Sequence, residues 1–125
     1  VTREALYQGI AKAKIGNRIG DISSVVQRYV EGQGFSVVRD LVGHGIGRKL
    51  HEDPQAVPNF GRAGKGEPIR EGLTICIEPM VNQGVYRVTT DPDDWTVRAA
   101  DGLLSAHFEH TLAVTRDGPE ILTQE

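Results

Sequence analysis

Apolar positions recur at helical spacing over the first fourteen residues, where Ala5, Leu6 and Ile10 stand between Arg3, Glu4, Gln8, Lys12 and Lys14. That periodicity predicts an amphipathic helix. Gly16 to Gly20 breaks it, and Asp21 is a good N-cap for a second helix, "ISSVVQRYVEGQG", with an apolar face of Ile22, Val25, Val26, Tyr29 and Val30. Gly32 and Gly34 end it. The period then shortens to that of a strand, "FSVVRDLV", which runs into "GHGIGRKLHEDP". Residues 54–72 hold three of the six prolines and several glycines, and read as an irregular connection. In "LTICIEPMV", Leu73, Ile75 and Ile77 share one strand face, Thr74, Cys76 and Glu78 share the other, and Pro79 stops the strand. The stretch 82–102 reads as one or two short strands around an acidic turn. In "LLSAHFEHTLAVT", Phe108, His110, Leu112 and Val114 alternate with His107, Glu109, Thr111 and Ala113, before a turn at Asp117-Gly118-Pro119. Two helices followed by a strand-rich remainder predict an α+β fold.

Composition narrows the function classes. The 125 residues suit one domain, with 38 % hydrophobic and 25 % charged residues near globular averages. A net charge of −3 offers no basic footprint for a nucleic acid and no polybasic membrane patch. No apolar run approaches the roughly 18 residues of a membrane span, and the N-terminal stretch lacks the apolar core of a signal peptide. A single cysteine, Cys76, cannot form an intrachain disulfide, which agrees with a reducing, cytoplasmic setting. The first helix lacks a capping box and an initiator methionine, and is read as following a missing upstream segment.

The chemistry-bearing residues are few. Glu78 and Glu109 lie in apolar strand sequence with neither arginine nor lysine beside them, and an unpartnered buried carboxylate costs several kcal/mol. With His44 they form a mixed nitrogen and oxygen set suited to a divalent metal. The plain alternatives are a hydrogen-bonded turn histidine at 44 and half-solvated glutamates at 78 and 109. His51 is either a solvated loop residue or a group near a metal that steadies an oxyanion. His107 and His110 read as cross-strand packing and hydrogen-bonding residues, Trp95 as a packing anchor, and Cys76 as an inert core thiol. "GHGIG" is neither a P-loop nor a dinucleotide fingerprint.

"VGHGIGRKLHEDPQAVPNF", "ICIEPMV" and "SAHFEHTLAVT", in this order and at these separations, resemble the C-terminal half of the bacterial-type methionine aminopeptidase family over residues 1–121. Prolidase-type relatives share GHGIG and IEP but carry Arg-x-Glu-Asp at the last strand, whereas here His110 follows Glu109. The resemblance implies a pita-bread (creatinase/aminopeptidase-like) fold, of which residues 1–125 would be one of two pseudo-symmetric halves. It implies removal of N-terminal methionine from nascent chains by a water activated at a dinuclear metal site. By the same resemblance His44, Glu78 and Glu109 are metal ligands, with Glu109 bridging. His51 and Glu78 are catalytic, and His51 and Trp95 contact substrate.

Two departures qualify that match. Leu50 stands where a bulky aromatic is common. The family also completes its site with two aspartates eleven residues apart, and no two of the eight aspartates here have that spacing. The expectation is therefore two divalent ions (Co, Mn, Fe or Zn) in a complete enzyme, and at most one, weakly bound, on this chain. The implied partners are a peptide or nascent chain with N-terminal methionine, the ribosome, and either an N-terminal half or a second copy across exposed apolar surface. The competing readings are a metal-free peptide-binding or scaffold module and a prolidase-like Xaa-Pro peptidase.

Overall fold

The computed structural model describes residues 1–124. Helix α1, Thr2–Ala11, packs on α2, Ile19–Gly32, and ten short strands complete an α+β fold. Strands β10 (Gly118–Ile121), β9 (His110–Thr115), β4 (Thr74–Ile77), β2 (Gly43–Gly45) and β3 (Glu52–Val57) form a five-stranded sheet in that order. Strands β1 (Ser36–Val37), β5 (Met80–Asn82) and β8 (Ser105–His107) form a three-stranded sheet, and β6 (Val88–Thr90) pairs with β7 (Val97–Ala99) in a separate ribbon. Every pairing is antiparallel.

The helical period buries one face of each helix. Leu6 and Ile10 of α1 and Ile22 of α2 join Ile75, Ile77, Leu112 and Val114 from the large sheet. Val26 and Val30 join Val37 and Val81 from the small one. No helix among the described residues is long and apolar enough to cross a membrane.

Four sequence expectations change. Helix α2 starts before Asp21, with Arg18 as the N-cap residue in extended conformation. Asp21 instead occupies the third helical position, where its carboxylate accepts N–H bonds from Arg18 at 2.7 Å and Gly64 at 2.9 Å. Gly20 lies inside the helix start, where its N–H donates to the Lys65 carbonyl at 2.8 Å and a Cβ would run into the Arg62 and Lys65 carbonyl oxygens. The strand expected over 35–42 is only two residues long, since the chain leaves the small sheet after β1 and enters the large one at β2. The connection expected over 54–72 begins with β3, an edge strand in which Pro54 interrupts no interior ladder. The strand expected through Glu109 breaks at Phe108 and Glu109, where the chain passes from β8 in the small sheet to β9 in the large one.

Two glycines of "GHGIG" have a packing reason. Strand β2 lies between β3 and β4, and a Cβ at Gly43 would meet the Cys76 carbonyl oxygen at 2.2 Å. A Cβ at Gly45 would meet the Asp53 carbonyl oxygen, also at 2.2 Å. Both obstacles are backbone, so the sheet itself would have to open.

Gly45→Ala is therefore expected to destabilise the chain by about 1–3 kcal/mol, the range for overpacking, in urea melts followed by circular dichroism. Asp21→Ala is expected to cost about 1 kcal/mol by loss of the helix-start bonds. The backbone bonds from Arg18 and Gly64 hold the Asp21 carboxyl below its ordinary 3.8. Its contribution is thus complete above pH 3.8 and fades as pH falls below that value, so the melts of the two proteins should converge in acid.

Candidate metal centre

The passages between the two sheets bring the chemistry together. Glu78 follows β4 and precedes β5, Glu109 lies between β8 and β9, and β2 carries His44 opposite Cys76. The alternation of "TICIE" puts Cys76 and Glu78 on one face, and the Cys76 thiol lies 3.3 Å from Glu78 Oε1 and 3.4 Å from the His44 carbonyl. Burial pushes that thiol up to about 12, so it stays protonated and inert at neutral pH.

His44 is buried, and its Nδ1 lies 2.7 Å from the Gly45 carbonyl, a bond in which the ring nitrogen must donate. That places a hydrogen on Nδ1 and turns Nε2 toward Glu78 Oε1 at 3.5 Å. Burial pushes the Glu78 carboxyl above its usual range; Glu109 adds to this, while the Cys76 thiol and the imidazoles of His44 and His107 oppose it. The basic side chains within 4.0 Å of Glu78, among the described residues, are the two imidazoles. A desolvated carboxylate beside two imidazoles, with no lysine or arginine partner, is a donor set that fits a divalent cation.

His51 reaches the same place from the loop after β2, its ring centroid 4.0 Å from that of His44. A cleft of about 600 Å³ is lined by His44, His51, Glu78, Met80, Trp95 and His107, among others. Trp95 is 85 % exposed on the acidic turn between β6 and β7, so it is a rim residue and not the packing anchor that its residue type alone favours. Asp93 shapes that turn by accepting the Trp95 and Thr96 N–H groups, each at 2.9 Å.

Glu109 is exposed, contrary to the mid-strand reading, because it sits at the break between β8 and β9. His110 is a packing residue as expected, bonded to Thr123 at 2.8 Å and to the Tyr7 hydroxyl at 3.2 Å. His107 is not: its Nε2 stands 3.7 Å from Glu78 Oε2 and 3.9 Å from Glu109 Oε2. The alternation that put His107 and Glu109 on one face was the signal for its place, and the strand break hid how near Glu78 comes. All four expected chemistry-bearing residues, His44, His51, Glu78 and Glu109, thus lie around one cleft or its margin.

Comparison with known proteins agrees with this geometry. The model of metallopeptidase family M24 matches residues 1–116. The methionine aminopeptidase of Clostridium perfringens is 60 % identical over 123 residues, which are 98 % of this chain and 49 % of that protein. The crystal structure of methionine aminopeptidase from Thermotoga maritima superposes with a TM-score of 0.97 at 52 % identity, covering 100 % of this chain and 50 % of that one. The prolidase of Pyrococcus horikoshii shares the fold, with a TM-score of 0.71 at 22 % identity over 98 % of this chain and 29 % of its own. The chain spans about half the length of the methionine aminopeptidases it matches. From its matched residues and its pita-bread architecture, this chain belongs to metallopeptidase family M24.

Proposed function

We propose that this chain supplies part of the active site of a methionine aminopeptidase, a metallo-exopeptidase that hydrolyses the N-terminal methionine from peptides and nascent proteins. The observation that carries this reading is the Glu78 carboxylate, desolvated at the end of β4, flanked by imidazoles and free of lysine or arginine, with Glu109 close by. Its support from outside the chain is identity of 50–60 % with proteins named methionine aminopeptidase.

In this reading His44, Glu78 and Glu109 are metal ligands, and the remaining ligands of a two-metal site come from residues outside this chain. Co, Mn, Fe and Zn all accept such mixed donors, and this chain on its own would hold at most one ion. Bound divalent cations would supply water activation near neutral pH and polarisation of the scissile carbonyl. The chain's own groups do the rest. His51, beside His44 and open to the cleft, is placed to hydrogen-bond the substrate amide and the oxyanion that develops on its carbonyl. Glu78, lining the cleft at the end of β4, is placed to move a proton between the attacking water and the leaving amine. Trp95 offers an apolar ring at the rim for the methionine side chain. The setting that follows is the cytoplasm, with nascent chains at the ribosome as substrate and no nucleic acid or membrane as direct partner. Exposed Leu103, Leu104 and Phe108 suit a face covered by an N-terminal half or a second copy.

The test combines this chain with a separately produced N-terminal half of a related methionine aminopeptidase and measures methionine release from Met-Ala-Ser. Turnover is expected only in the mixture with Co²⁺ or Mn²⁺, and Glu109→Gln should lower it by about 100-fold or more. Release that survives both chelation and Glu109→Gln would exclude the metal reading, and a preference for Xaa-Pro dipeptides would replace the substrate.

A further inference from the structure

We infer that His107 is itself a metal ligand, and that Glu78, His107 and Glu109 form a divalent-cation site contained in this chain. The inference shares Glu78 and Glu109 with the metal reading above and adds an imidazole which that reading does not use.

The argument is one of spacing. His107 Nε2 lies 3.7 Å from Glu78 Oε2 and 3.9 Å from Glu109 Oε2. Direct N–H···O bonds would be about 2.7–3.2 Å. Two donors that each bind one tetrahedral ion at about 2.1 Å stand about 3.4 Å apart, so the observed gaps lie nearer to a shared ion than to a hydrogen bond. One donor atom from each of the three residues falls within 4.8 Å of the others. Two carboxylates converging on one imidazole, with no lysine or arginine within 4.0 Å of any of them among the described residues, repel each other until a cation joins them.

The backbone makes the cluster a built feature. His107 is the last residue of β8 and pairs with Met80 of β5, two residues beyond Glu78, so the register of the small sheet fixes its height against that carboxylate. Glu109 follows two residues later at the passage to β9, whose pairing with β4 runs from Ile77 opposite His110. Both partners of His107 therefore adjoin paired residues, Glu78 following Ile77 and Glu109 preceding His110. One nitrogen and two carboxylate donors favour Co²⁺ or Zn²⁺ over Mg²⁺, which prefers oxygen alone. Three protein donors leave a further position for water or substrate on the cleft side, where His107 shares the lining with His51 and Trp95.

The test is a Co²⁺ titration of this chain, followed by visible absorption and by proton NMR of paramagnetically shifted imidazole N–H signals, with Mg²⁺ as control. The wild-type chain is expected to bind one Co²⁺. His107→Gln and His107→Asn should each lose one shifted imidazole signal and weaken Co²⁺ binding at least about tenfold, with unchanged far-ultraviolet circular dichroism. Either variant losing its fold leaves the other, and the wild-type spectrum, to decide. Wild-type affinity and an undiminished set of shifted signals in both variants would overturn the inference, as would a wild-type chain that binds no Co²⁺. Loss of binding in His44→Gln alone would also overturn it while leaving the proposed aminopeptidase site intact, whose own failure is read from methionine release.

Discussion

Three segments of this chain pass from one sheet to the other, and two of those passages govern where the carboxylates of the site stand. Strands β4 and β5, and β8 and β9, are each two residues apart in sequence yet belong to different sheets, and β1 and β2 change sheets across residues 38–42. A strand that changes sheets must interrupt its ladder, and its side chains there are released from the alternation of in and out. Glu78 and Glu109 occupy two of the three interruptions. There the two carboxylates meet each other and two imidazoles. The tight contact of β2 with β3 and β4, possible because residues 43 and 45 have no side chain, brings His44 to the same line.

The two carboxylates are unequal, and the difference is electrostatic. Glu78 keeps 13 % of its side chain exposed and Glu109 43 %. Water relieves Glu109 of much of its charging cost, while Glu78 bears its own and is raised further by its neighbour. Imidazoles are fitting company for such a group because they lend a lone pair or a proton according to need. His44 already commits the hydrogen on Nδ1 to the Gly45 carbonyl.

Much of the fold was legible because periodicity reports burial. Residues 5, 6 and 10 of α1, the apolar face of α2 and the Ile75–Ile77 face of β4 all lie where their spacing put them, and the acidic turn between β6 and β7 is as expected. Changes of sheet were not legible, since alternation continues through them: "SAHFEHTLAVT" reads as one strand although its partners change after His107. The start of α2 was misplaced for a related reason. Asp21 has the side chain of a cap residue, but it serves from inside the first turn, and only the 58–67 loop, which brings Lys65 and Gly64 alongside, fixes the true start. His44, His51, Glu78 and Glu109 could be picked out because polar residues in apolar or glycine-rich sequence are costly without a purpose. His107 was passed over because a histidine in a strand carries no such cost, and its value lies in a neighbour 29 positions away.

The cleft is built from parts of unequal stiffness. Its floor belongs to sheets braced by both helices, whereas Trp95 stands on the turn of a two-stranded ribbon, an arrangement that is marginal without further packing. In the proposed reading, an apolar side chain seated against that indole also orders the ribbon, and gives up part of its binding free energy in doing so. Under the proposed function, discrimination at the rim would be graded by how well a guest orders the ribbon, apart from the donors on the floor. Sequence drift in residues 88–99 can retune what is admitted without disturbing the spacing of the donors beneath.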